Sequence, residues 1–144
     1  MKNLEVAMKI SIATLFSVYM KTHFIHFNVI GTNFYEYHKL TDKIWKDLID
    51  SFDVLGEQIR ILDILCPCSM SEFKKLSQVE ELTEVGDAKG MLYELLLDTE
   101  KLVEVLNETE KLSINHVGLQ NVLQGLIEKI EKWSWMLRST IKNK

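Results

Sequence analysis

The chain has 144 residues, 47% hydrophobic and 26% charged, with six glycines and one proline, the makeup of a single helical domain over residues 1–144 and not of a disordered or many-turned β protein. Its 17 basic residues stand against 21 acidic ones, a net charge of −4, which argues against general DNA binding because neutralising phosphates takes clustered Lys and Arg. The apolar run from Ile10 to Met20 is too short to span a membrane, and Lys21 and His23 follow it with no small-residue cleavage pattern, so it reads as buried helix and not as a signal segment.

That run belongs to a first helix expected over residues 4–29. Its middle is apolar nearly all round, as suits a helix buried against its own bundle and against a neighbour. Gly31 is expected to end it and Asn33 to cap the next helix, with Glu36 three residues on completing a capping-box pattern. The second helix is expected over residues 34–65, stopped by Pro67. A connection of about twenty residues follows, long enough to need structure of its own, and Ser69-Met70-Ser71-Glu72 reads as a capping box opening a short helix to Leu76. After a turn around Gly86, a third helix is expected over residues 91–107, with Leu92, Leu95, Leu96, Leu102, Val103 and Leu106 as its stripe. A turn over residues 111–113 leads to a fourth helix over residues 115–141. Trp133 and Trp135 are two apart, so at most one is core, and His116 reads as a cap or surface residue. Four helices with one long crossover make an all-α, ferritin-like four-helix bundle, with the short extra helix inside the crossover.

The chemistry concentrates between residues 21 and 60, which hold three of the four histidines. His38 and Asp42 are four apart, as are Asp53 and Glu57, so each pair shares a helix face and could hold one metal ion. The two pairs are separated by roughly 22 Å along one helix and cannot close on one ion within a chain. A site using both needs the second helix to run antiparallel to that of a partner, which is a two-fold interface. Cys66 and Cys68 flank Pro67. That spacing is too short for a comfortable disulfide and two thiols are too few for a zinc site, so free cysteines in a reducing, cytoplasmic setting are expected.

The run from Tyr19 to His38, which includes Lys21, His23, His26, Asn28, Val29, Gly31, Asn33 and Phe34, continues with Asp42, Asp53, Glu57 and Arg60. It resembles the signature of the Dps family, the mini-ferritins that oxidise iron and shield DNA, and Glu131 to Arg138 resembles the family's closing helix. The resemblance implies a ferroxidase whose ligands are His26, His38 and Asp42 from one subunit and Asp53 and Glu57 from its two-fold partner. It implies Fe(II) as substrate and Fe(III) as product, hydrogen peroxide preferred over dioxygen as oxidant, and a hollow dodecamer that stores the ferric product. Imidazoles and carboxylates suit both oxidation states. His23, one turn before His26, reads as a packing residue behind the site.

The chain departs from the family in three places. Phe27 stands where a tryptophan often follows the first ligand histidine. The amino end offers only Lys2, and the carboxyl end Arg138, Lys142 and Lys144, in place of a lysine-rich tail. Gly118, Gln120 and Asn121 stand where aspartates tend to line the iron-entry pores. The expected function is therefore iron oxidation and storage; a DNA-compacting protein with secondary iron chemistry is the rival. A larger ferritin with a di-iron site inside each bundle would need Glu-x-x-His motifs, and no histidine here has a glutamate three residues before it.

Overall fold

A computed structural model describes residues 2–142. It has five helices: α1 (Lys2–Asn28), α2 (Phe34–Ile61), α3 (Met70–Leu76), α4 (Ala88–Leu112) and α5 (Val117–Ile141). There is no strand among the described residues, and no helix is long and apolar enough to cross a membrane. α1 packs against α2 and α4, α4 packs against α5, and α2 meets α5 only lightly. The four long helices thus form a bundle, with α3 lying across α1 in the crossover.

α1 is covered more fully by its own chain than the sequence suggests. Ser11 to Leu15 are buried in succession, which a one-sided helix could not achieve. Part of the cover is the crossover. Phe73 of α3 is buried, with its ring 4.8 Å from that of Phe16, and the amide of Gln78 donates to Thr14 Oγ1 at 3.1 Å. The Ser69 hydroxyl accepts from the Glu72 amide, the N-terminal half of the expected capping box.

Other ends depart from expectation. Asn33 does precede α2, but its side chain makes no capping bond and reaches Tyr37 instead; Glu36 is left to favour the helix N-terminus through charge alone. α4 begins at Ala88, where the Asp87 side chain accepts from the Gly90 amide at 3.0 Å, and it runs five residues past the expected end. α2 stops at Ile61, well before Pro67. The Ile64 amide bonds the Ile59 carbonyl, the Asp63 amide bonds the Arg60 carbonyl, and Asp63 has φ +60°. This is the Schellman closure, with aspartate where glycine is usual. Ile64 and Ile59 are both buried, and Arg60 Nη1 donates to the Ile64 carbonyl at 2.8 Å.

The bundle interior is apolar, with a few paired polar groups. Ser11 and Thr109 share a hydrogen bond of 2.7 Å, as do Thr99 and Ser134 at 2.8 Å. Lys21 on α1 and Asp98 on α4 form an ion pair with little exposure. Where α2 and α5 approach, Trp133 Nε1 donates to Asp47 Oδ2 at 2.6 Å and Lys129 pairs with Asp47 Oδ1 at 3.1 Å. Trp133 is buried and Trp135 exposed, the division that their spacing implies.

Asp63 holds a left-handed conformation that costs a non-glycine residue about 1 kcal/mol, and its side chain is 98% exposed. Asp63→Gly should therefore raise stability by about 1 kcal/mol, read as a higher denaturation midpoint at fixed protein concentration. Asp63→Val should lower it.

Candidate metal centre

The turn joining α1 to α2 brings the last turn of one helix against the first turn of the next. Gly31, at φ +115°, provides a backbone conformation that other residues rarely adopt. Two reciprocal hydrogen bonds close the corner. His26 Nδ1 lies 2.9 Å from the His38 carbonyl, and His38 Nδ1 lies 2.9 Å from the His26 carbonyl. A carbonyl only accepts, so both Nδ1 atoms carry the proton and each neutral ring keeps its lone pair on Nε2. The rings stack with centroids 3.9 Å apart and planes within 16°. Thr41, buried beneath them, lies 3.3 Å from His26 Nδ1 and donates its own hydroxyl to backbone carbonyls. Such backbone bonds fix tautomer and ring orientation, as they do behind metal-binding histidines.

Asp42 lies beside His26. Its Oδ1 is 3.9 Å from His26 Nε2 and its Oδ2 is 2.9 Å from Lys46 Nζ. Two ligand atoms on one ion, each about 2.1 Å from it, lie roughly 3.0–3.4 Å apart, so a small rotation of the carboxylate would let an ion bridge them. The Lys46 ammonium, first through its hydrogen bond, holds the Asp42 carboxyl below its ordinary pKa, which keeps it ionised and fit to bind a cation.

Asp53 and Glu57 lie farther along α2, exposed on one face. With Arg60, Cys66, Cys68 and Ile12 they line an open groove of about 780 Å³. Among the described residues of one chain, no three His, Cys, Asp or Glu come close enough together to hold a metal ion. One chain thus stacks His26 on His38 and sets Asp42 beside His26 without closing a three-ligand set, and it leaves Asp53 and Glu57 apart. Both cysteines are free, and burial, ahead of the influence of Cys68, pushes the Cys66 thiol up.

Behind the histidines lies an aromatic layer that sequence reasoning did not resolve. His23 is sandwiched between Phe27 and Trp45, with centroids 4.3 Å away on either side and planes within 26° and 13°. Its Nδ1 shares a 2.9 Å hydrogen bond with the Tyr19 hydroxyl. An indole thus does stand beside His23, and it comes from α2. Trp45 Nε1 is buried without a hydrogen bond, close enough to Asp42 to help hold it ionised. The signal was present as helical spacing: Tyr19 is one turn before His23, and Trp45 and Lys46 are one turn after Asp42.

Comparison with known proteins settles the family. The family model of the ferritin-like domain matches residues 7–144. Over 131 residues the chain is 32% identical to the DNA protection during starvation protein of Helicobacter pylori, an alignment covering 85% of this chain and 87% of that one. The chain belongs to the ferritin-like family, in its Dps branch. It superposes on a Dps protein from Vibrio cholerae O1, described as a member of a broad superfamily of ferritin-like diiron-carboxylate proteins, with a TM-score of 0.93 at 26% identity over 98% of this chain and 90% of that one. Dps from Thermosynechococcus elongatus matches with a TM-score of 0.95, over 99% and 92% of the two chains; at 16% identity that likeness concerns the fold alone. The Dps fold of this chain is all-helical, with the extra helix in the crossover.

Burial, and then the neighbouring His26, lower the His23 pKa below its ordinary value, while Asp42 acts in the opposite sense. His23 therefore gains its proton only at a pH below the usual histidine range. Trp45→Ala, by opening the ring to water, should move that titration upward, as read by NMR of carbon-13-labelled histidine.

Proposed function

We propose that this Dps protein is a ferroxidase and iron store. It oxidises Fe(II), preferably with hydrogen peroxide and alternatively with dioxygen, at a site shared between two subunits, and keeps the ferric product inside a closed shell of twelve single-domain chains, protecting a cytoplasm from oxidative damage. The observation that carries this reading is the reciprocal His26/His38 bonding, which leaves Nε2 lone pairs on two imidazoles beside the ionised Asp42. Two imidazoles and one carboxylate bind Fe(II) without saturating it, so positions stay open for the oxidant. Asp53 and Glu57 of a partner would add the hard oxygen ligands and negative charge that favour the more highly charged product.

The geometry of α2 supports sharing. His38 and Glu57 are centred between Asp47 and Leu48, and so are Asp42 and Asp53. Antiparallel pairing of two α2 helices about that point would set His38 opposite Glu57 and Asp42 opposite Asp53, twice over by symmetry. Large apolar side chains stand exposed near both half-sites, among them Ile30 (76%) and Phe34 (41%) at one end and Ile61 (70%) and Leu65 (78%) at the other. Exposed apolar side chains grouped at both ends of α2 suit an interaction face.

The test is complementation. His38→Ala and Glu57→Ala should each abolish most Fe(II) oxidation. Mixed in equal amounts under reassembly conditions, they should recover about a quarter of the wild-type sites, because random pairing joins an intact histidine half to an intact carboxylate half in one site out of four. No recovery, in particles of native size, would place the whole site within one subunit.

A DNA-compacting role is the rival reading, and charge weighs against it. Arg138 is exposed and Lys142 caps α5; Lys144 lies outside the described residues. Each subunit carries a net −4, so the shell repels phosphate except where its carboxyl ends are displayed together. Linear duplex DNA should not be retained at about 150 mM salt. A mobility shift that disappears on deleting residues 139–144 would favour the rival.

A further inference from the structure

Among the described residues, Lys46 is the cation that pairs with a candidate iron ligand of the histidine half. Its Nζ is 2.9 Å from Asp42 Oδ2, on the opposite oxygen from the one facing His26, and lies 5.6 Å from the centre of the Trp45 ring. The pair is an exposed one-turn contact, with side chains 60% and 34% accessible, so its contribution to folding is small. Its consequence for a cation arriving at Asp42 is larger. A metal ion drawing Asp42 Oδ1 toward His26 Nε2 brings a charge of two to within a few ångströms of the ammonium, and the carboxylate can no longer serve both equally. We propose that Lys46 is a resident counter-cation of the iron site: it occupies Asp42 when the site is empty, and an incoming divalent ion must displace it, so that Lys46 sets the ferrous concentration at which the site fills.

The arrangement suits displacement. The Lys46 stem is flexible and largely solvated, and the face of Trp45 offers the ammonium a second place to rest without leaving the helix. A buried arginine held by two carboxylate oxygens would instead block the site outright. The inference rests on the reading of Asp42 as an iron ligand, and the test separates the two.

The test measures binding of Zn2+, which undergoes no redox chemistry, to the assembled protein by titration calorimetry near pH 7, for wild type, Lys46→Gln, Lys46→Arg and His38→Ala. A unit charge about 6 Å from a dication at a solvated surface alters affinity about three- to tenfold at low salt, and less as salt screens it. Lys46→Gln should therefore bind Zn2+ about three- to tenfold more tightly than wild type in dilute buffer, with the gap narrowing at high salt, while Lys46→Arg stays near wild type. Affinity in Lys46→Gln that is unchanged or weaker, together with Zn2+ binding that His38→Ala abolishes, would overturn the role of Lys46 and leave the metal site standing. Zn2+ binding that His38→Ala leaves intact would overturn the metal reading of this corner and Lys46 with it.

Discussion

Two hydrogen bonds between a pair of histidines and each other's backbone carbonyls determine how the first half of the chain is built. They join the end of α1 to the start of α2 across a turn of five residues, Val29 to Asn33, so the angle between the helices and the direction of both imidazoles are fixed together. Neither bond is available to an isolated helix, because each crosses from one helix to the other. The left-handed Gly31 makes the crossing sterically possible, and Thr41 below and the His23, Phe27 and Trp45 stack beside it hold the rings in place. Orientation of potential metal-binding atoms is thus a consequence of helix packing, and it exists before any ion arrives.

The bundle interior shows why such chemistry sits at a corner and not in the core. The polar groups between α1 and α4 are already matched: Lys21 with Asp98, Ser11 with Thr109. A buried lysine thus faces a half-buried aspartate, and burial raises the Asp98 pKa, opposed by Lys21. Removing one partner would strand a charge in a low-dielectric space, which is far more costly than losing a surface pair. With these core groups paired, the imidazoles and carboxylates of the candidate site lie on the outward face of α2 and at the α1–α2 corner.

Most of the architecture was legible because it rests on local rules. The leucine stripe of α4 and the inward positions of α5 follow helical period, and the Ser69 cap announces α3 in four residues. Errors fell where a local signal had a competitor. Asp63 closes α2 in a conformation that sequence reading reserves for Gly or Asn, so the expected end, residue 65, lies four residues beyond the observed one. Asp87 begins α4 one turn early because Gly90, a poor helix former, lies inside the first turn and hides it. At the site, His26, His38 and Asp42 could be grouped from spacing and resemblance. The place of Trp45 could not, because stacking on His23 depends on how two helices pack and not on either helix alone.

Dividing a ligand set between two chains links iron binding to assembly. On the shared-site reading, a lone subunit offers an ion two imidazoles and one carboxylate with an ammonium beside it, and the remaining oxygen ligands arrive only with the partner's α2. Each bound ion then stabilises the interface by the difference between its affinity for the complete site and for the half-site, and the interface in turn raises affinity for the ion by the same factor. Exposed apolar residues near both half-sites would favour that pairing whether or not iron is present, so on the same reading the site is complete before it is filled. On that reading, iron chemistry is confined to the assembled shell, where the ferric product would have an interior to enter, and is withheld from the free subunit, which has none.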